Sequence, residues 1–141
     1  MRLIVVCVGR VRAPFADDVA HYERLIARHA RLQTIELPEP RREGDALVAH
    51  VQSIDRYGNA ALNVSHEGLA GTGITLGGQV EIVSGTEHFH ATVGQTFADV
   101  RRGDILFYED SYRALSIAIN RGDAAATLQL APDSEVRVTP R

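Results

Sequence analysis

The chain has no lysine at all: its 15 basic residues are all arginine. That uniformity reads as genomic composition bias, though every arginine also keeps its charge and its planar fork of donors. It excludes any chemistry that needs a lysine, the phosphate-binding loop with its Gly-Lys-Ser/Thr ending among them. Cysteine is nearly absent. Cys7 alone excludes an intramolecular disulfide framework and any multi-cysteine zinc site, and it fits a reducing cytoplasm, the expected location. Long apolar runs are missing too. The longest begins Leu3-Ile4-Val5-Val6-Cys7-Val8, far short of the ~18 residues of a membrane span. It lies too near Met1, and ends in Gly9-Arg10 without a small-residue cleavage site, to read as a signal peptide. Strong charge is lacking as well. A formal −3 argues against a general nucleic-acid binder.

What is present is enough for one folded domain with a short appendage: 141 residues, 45% of them hydrophobic and 23% charged. The average hides a division. Residues 1–33 carry six arginines against Asp17, Asp18 and Glu23, for +3, and residues 34–141 make up the remaining −6. Only Gly9 of the 12 glycines lies in the first segment. Asymmetry of this kind points to two segments of different origin.

The first segment reads as strand then helix. Leu3 to Val8 has the β-branched, two-sided apolar character of a buried strand. After Gly9, apolar residues recur at Phe15, Val19, Tyr22, Ile26 and Ala30, one face of an amphipathic helix. Pro14 suits its first turn, and Asp17, Asp18, Arg28 and Arg31 complement its dipole. The remainder reads as short strands. Leu32–Leu37, Ala46–Ile54, a strand through Val64, Gln79–Val83, Glu87–Val93, Ile105–Tyr108, Leu115–Asn120 and Glu135–Thr139 alternate with turns. Ser84-Gly85-Thr86 marks a hairpin, and Asp123 caps a short helix over 124–130. The pattern predicts an α+β, mainly β fold: a small antiparallel β-barrel with the strand–helix unit packed on it.

Most local motifs favour ordinary structure. Gly9-Arg10-Val11-Arg12-Ala13-Pro14 offers one glycine where a dinucleotide fingerprint needs three. His88 and His90 share one strand face, but two imidazoles alone are more simply exposed side chains than a metal site. Cys7 reads as a small buried hydrophobe. Two polar stretches are more informative. Asp55-Arg56-Tyr57-Gly58-Asn59 offers a carboxylate, a ring and an amide in one turn, a set that suits a ribose diol and an adenine edge. Tyr108-Glu109-Asp110-Ser111-Tyr112-Arg113 is the second, followed by Asn120-Arg121-Gly122.

These stretches carry a resemblance. IDRYGN (54–59), TFADV (96–100), YEDSY (108–112) and LSIAINRGDAA (115–125), in that order, resemble the C-terminal domain of the S-adenosylmethionine hydroxide adenosyltransferases, relatives of the fluorinating and chlorinating enzymes. The LPEP of 37–40 resembles that family's interdomain linker. The resemblance implies a β-barrel from a trimeric enzyme, its nucleoside pocket lying between subunits. It also implies that Asp55, Tyr57 and Asn59 hold ribose and adenine, and that Phe97 packs on the base. Ser111, Tyr112 and Asn120 then line the methionine and adenine ends, with backbone near Arg121 at the adenine edge. Arg113 stands where the family is expected to have glycine. The family's water-activating groups belong to an N-terminal domain that these residues do not include. Residues 1–33, through MRLIVVCVGRVRAPF and HYERLIARHARL, instead resemble the start of the ribosomal large-subunit pseudouridine N3-methyltransferase.

Together these readings give a 1–33 fragment joined to a 34–141 barrel: a recombined or engineered chimera without complete catalytic machinery. It is expected to keep a partial surface for adenosine or S-adenosylmethionine, to require no cofactor or metal, and to form a homo-oligomer without membrane or nucleic-acid partners. The alternative is a hydrolase that releases adenosine and methionine from S-adenosylmethionine.

Overall fold

A computed structural model describes all residues, 1–141, which divide into two compact units, Met1–Glu39 and Pro40–Arg141. In the first, β1 (Arg2–Val8) is followed by helix α1 (Phe15–Ala27) and β2 (Arg31–Leu37). β1 and β2 pair in parallel, in unbroken register from Arg2↔Arg31 to Val8↔Leu37. A parallel pair needs a crossover, and α1 supplies it. β2 therefore belongs with β1, and Glu36 and Glu39 join the first unit. Its six arginines now face five acids, so the charges are +1 and −4 and the contrast shrinks.

The run Leu3–Val8 is a strand, but not the buried one its composition predicts: Ile4, Val5 and Val8 are all exposed, at 51%, 45% and 43%. None of the residues of α1 is buried either. The reason is architectural. A strand buried on both faces needs layers on both sides, and two strands with one helix are too few to make them.

The second unit is a closed barrel. β4 (Ala46–Ile54), β5 (Ala60–Ser65), β6 (Gln79–Ser84), β7 (Glu87–Val93), β8 (Ile105–Glu109), β9 (Ala114–Ile119) and β10 (Glu135–Pro140) run around it in the order β10-β6-β7-β8-β9-β5-β4. Pairing of β10 with β4, from Glu135↔His50 to Val138↔Leu47, closes the ring. Closure removes the free edges of these strands. A short strand β3 (Arg41–Glu43), in a stretch whose composition suggests a polar loop, pairs with β4 through the Gly44-Asp45 turn. Alternate residues fill the interior: Leu47, Ala49 and Val51 on β4, Val80 and Ile82 on β6, Leu115, Ile117 and Ile119 on β9. Phe107 on β8 is fully buried among them. Helix α2 (Ala124–Thr127), shorter than the sequence suggests, starts at Asp123, whose Oδ1 accepts from Ala126 N at 2.9 Å.

One pair departs from the antiparallel expectation. β7 and β8 run parallel, Ala91↔Ile105 to Val93↔Phe107. Residues 94–104 must therefore carry the chain from one end of the barrel to the other, rather than turning back as a hairpin. That crossover includes the 3₁₀ turn Phe97–Asp99. No helix is long and apolar enough to cross a membrane.

Candidate functional site

Three segments converge beside this crossover: the turn between β4 and β5, the Phe97 turn, and the segment from the end of β9 to α2. Together they line an open hollow of about 750 Å³ with Tyr57, Asn59, Phe97, Ile119, Asn120, Arg121, Gly122 and Asp123. A larger hollow of about 870 Å³ lies elsewhere on the barrel, walled by Leu69, Ile74, Val93, Phe107 and Leu115 among others. It contains none of the eight residues expected to hold a ligand. The smaller one gathers five of them, so it is the candidate site.

Asp55 shapes the first segment. Its Oδ1 accepts from the backbone N–H of Tyr57 (2.8 Å) and of Asn59 (3.0 Å), and its Oδ2 accepts from Asn59 Nδ2 at 2.9 Å. Partial burial acts to raise its pKa, but the hydrogen bonds from Asn59, Tyr57 and Gly58 outweigh it and hold the carboxyl below its usual value. Asp55 is thus turned into its own loop, as an Asx turn requires, and is absent from the lining of the hollow. Tyr57 stands out from the turn, 62% exposed. Arg56 holds it by donating to its hydroxyl at 2.7 Å, with the guanidinium carbon 4.8 Å from the ring centroid.

Gly58 joins this turn to the third segment. It has φ +83°, and a methyl group in place of its hydrogen would run into the Asp123 carboxylate. Gly58 O also accepts from Ala125 N at 2.9 Å. Only glycine combines that backbone with so close an approach.

The Phe97 turn is fixed by a capping box between Thr96 and Asp99. Asp99 Oδ2 accepts from Gln95 N and Thr96 N at 2.8 and 3.0 Å, and these bonds lower its pKa. The Phe97 ring, 41% exposed, lies 6.0 Å from that of Tyr108 at an interplanar angle of 51°. Burial raises the pKa of Tyr108, with Asp110 and Asp55 adding to the effect.

Asn120 donates through Nδ2 to Phe97 O (3.1 Å) and Val100 O (2.9 Å). Arg121 follows with φ +56°, a left-handed residue in the wall of the hollow. Ser111 and Tyr112 lie apart, on a loop organised by Asp110. Asp110 Oδ1 accepts from Tyr112 N and Ala114 N at 2.8 and 3.1 Å, and its Oδ2 accepts from Ser116 Oγ at 2.8 Å. Tyr112 is 90% exposed. Neither residue borders the hollow. Arg113 in the same loop has φ +65°, which gives a physical reason to expect glycine there.

The residues that the motif reading missed are the ones that hold the others, Asp99 and Asp110; Asp123, legible as a helix cap, also lines the hollow. Thr96-Phe97-Ala98-Asp99 has the spacing of a capping box, a signal available in the sequence. Asp110 followed by Tyr112 and Ala114 is an Asx pattern of the kind seen at Asp55. His88 and His90 lie exposed on β7, and His88 Nδ1 is 3.4 Å from Glu81 Oε1.

A closed barrel with an aromatic, amide-lined hollow on its loops defines a β-barrel domain with a candidate small-molecule site. The particular family follows from comparison with known proteins. The chain belongs to the S-adenosylmethionine hydroxide adenosyltransferase C-terminal domain family, which matches residues 49–137. It is similar to an (R)-S-adenosyl-L-methionine hydrolase of Salinispora tropica, 33% identical over 107 residues. A hydrolase of the same name from Salinispora arenicola is 32% identical over 107 residues. Each alignment covers 74% of this chain and 38% of the relative, so the chain spans well under half the length of these proteins. A crystal structure of an uncharacterized conserved protein from Thermotoga maritima superposes with a TM-score of 0.71 at 26% identity, covering 76% of this chain and 41% of that one.

These matches correct the main functional reading. A chimera without catalytic machinery is not what they support: relatives that align with most of the chain are named as hydrolases, which favours the alternative. The charge contrast behind the chimera also weakens once β2 is grouped with its partner β1.

Proposed function

We propose that this chain supplies the nucleoside-binding barrel of an enzyme that hydrolyses S-adenosyl-L-methionine to adenosine and methionine. The observation that carries the proposal is the convergence of Tyr57, Asn59, Phe97, Asn120 and Arg121 on one hollow, in a domain whose relatives are named for this hydrolysis. Phe97 and Tyr57 offer ring faces to a base. Asn59 and Asn120 offer amide groups to its edge, and the backbone at Arg121 adds a further polar contact. Asp55 acts through Asn59, whose amide it orients.

The reaction needs only water as co-reactant, and no metal or cofactor. A water oxygen bonds to the ribose C5′ as the C5′–sulfur bond breaks. The sulfur keeps that electron pair and becomes the neutral thioether of methionine, and a proton passes to solvent. The barrel's part is to hold the adenosine half in place, a positioning role. The groups that orient the water are expected from the part of the enzyme that precedes the barrel in the family. Ser111 and Tyr112, exposed and outside the hollow, are proposed to meet the methionine end in a homo-oligomer.

Calorimetry with adenosine tests the binding role. Binding is expected, and Tyr57→Ala or Phe97→Ala should each weaken it about tenfold, in keeping with a stacking loss of ~1–3 kcal/mol. No heat at millimolar adenosine, from protein that melts normally, overturns the nucleoside reading. Release of adenosine from S-adenosylmethionine by the enzyme that carries this barrel, followed by chromatography, tests the activity. It should disappear in Asn59→Ala.

A further inference from the structure

Asn120 combines two features that a ligand-binding amide does not need. Its backbone is locked in place: Asn120 N donates to Asp104 O at 3.1 Å, and Asn120 O accepts from Gly103 N at 2.8 Å. From that anchor, Nδ2 reaches two carbonyl oxygens of the crossover, those of Phe97 and Val100. A primary amide nitrogen carries two hydrogens, so both are spent. The orientation is also unambiguous, because flipping the amide would set Oδ1 against two carbonyl oxygens, acceptor against acceptor. Only Oδ1 is left to meet a ligand, and it accepts without donating.

We infer that Asn120 is a positioning residue that builds the Phe97 platform, and that its remaining oxygen selects for a ligand with an N–H donor at the base edge. Three independent holds then converge on Phe97. The Thr96–Asp99 capping box fixes the turn from within, Asn120 ties its carbonyls to the end of β9, and Tyr108 backs the ring. Without the two Asn120 bonds, the crossover between the parallel strands β7 and β8 would be hydrogen-bonded to the rest of the barrel only near its ends, through Gly94, Gly103 and Asp104. The selection half rests on the nucleoside reading above. Adenine carries an exocyclic amino group that Oδ1 can accept from, whereas unsubstituted purine has only hydrogen on carbon there and no N–H on that edge.

The chain contains no tryptophan, so Phe97→Trp creates a single fluorescent reporter on the platform itself. In that background, Asn120→Asp keeps the side-chain shape but replaces the two donors by an acceptor, and Asn120→Ala removes both. Each is expected to red-shift the emission and to raise acrylamide quenching at least twofold. Ser111→Ala, on the separate loop, should change neither. Amide exchange in β9 verifies that the barrel remains folded. Emission and quenching identical to the Phe97→Trp parent in both Asn120 variants would falsify the positioning role.

Binding tests the second half. With Phe97 intact, adenosine should be preferred over purine riboside by about tenfold, the scale of one hydrogen bond, and Asn120→Ala should abolish the preference. Equal affinities in the unsubstituted protein overturn the selection. If neither nucleoside binds while the tryptophan signal still responds to Asn120, the nucleoside reading fails and the positioning role stands.

Discussion

The two units solve the burial problem in opposite ways. The barrel closes on itself, so every second residue of each strand faces a shared interior, and Val80, Ile82, Leu62, Ile117 and Val136 are all inaccessible to solvent. The βαβ unit has one parallel strand pair and one helix, and the apolar residues Ile4, Val5, Phe15 and Tyr22 stay exposed. Both have suitable hydrophobic residues in suitable periods. The difference is closure. An apolar stripe stabilises only where another layer meets it, and the barrel is its own second layer. Cooperative stability should therefore reside in residues 40–141.

A matched pair of substitutions tests this most strongly. Ile117 is fully buried and Ile26 is 37% exposed, so Ile→Ala removes the same atoms from two environments. At Ile117 the loss should be about 3–4 kcal/mol, since a cavity in a closed core adds to the lost transfer energy. At Ile26 it should stay below about 1 kcal/mol, partly offset by the better helix propensity of alanine. Urea midpoints measure both. Equal shifts would break the comparison and show that the βαβ unit shares the barrel's cooperative core.

The same difference governs what could be read from sequence. Period-two strands such as Gln79–Ser84 and Glu87–Val93 were legible because in a barrel each strand alternates between interior and exterior. The partners of strands were not. β2 joins β1 across a helix, and β7 joins β8 in parallel across residues 94–104, pairings that no local pattern encodes. β3 was missed because Arg41-Arg42-Glu43 has no strand propensity and pairs only as the arm of a hairpin. Of the candidate site, Tyr57, Asn59, Phe97, Asn120 and Arg121 are singled out by sequence, and the structure brings them to one hollow. What stayed hidden is the division of labour. Asp55 is polar and its motif fits a ligand contact, but its carboxylate is satisfied by its own loop. Such internal satisfaction depends on the path of the turn.

Gly58→Ala asks whether the barrel's order extends into its loops. The substitution forces a non-glycine residue to φ +83° and pushes a methyl group into the Asp123 carboxylate. Backbone strain and overpacking together should cost about 2–3 kcal/mol. Adenosine binding should fall as well, because Tyr57 and Asn59 flank the displaced residue. Loss of binding with an unchanged melting temperature would mean that the turn is a flexible attachment rather than part of the cooperative barrel.

Arg113→Gly is the smallest effect and the one of opposite sign. Arg113 holds φ +65°, where an L-residue is disfavoured by about 1 kcal/mol and glycine is not. The arginine does have partners, Glu67 at 3.7 Å and Glu109 at 3.9 Å, but its side chain is 76% exposed. Exposed pairs of that length contribute at most a few tenths of a kcal/mol. Glycine also enlarges the unfolded ensemble, which takes back part of the gain. The balance should be stabilising by about 0.5 kcal/mol, a rise of a few degrees at most in the melting transition. Raising the salt concentration separates the terms, since screening weakens the ion pairs and leaves the backbone preference untouched. The advantage of glycine should therefore grow with salt. If it shrinks instead, the backbone conformation is not what disfavours arginine at this position.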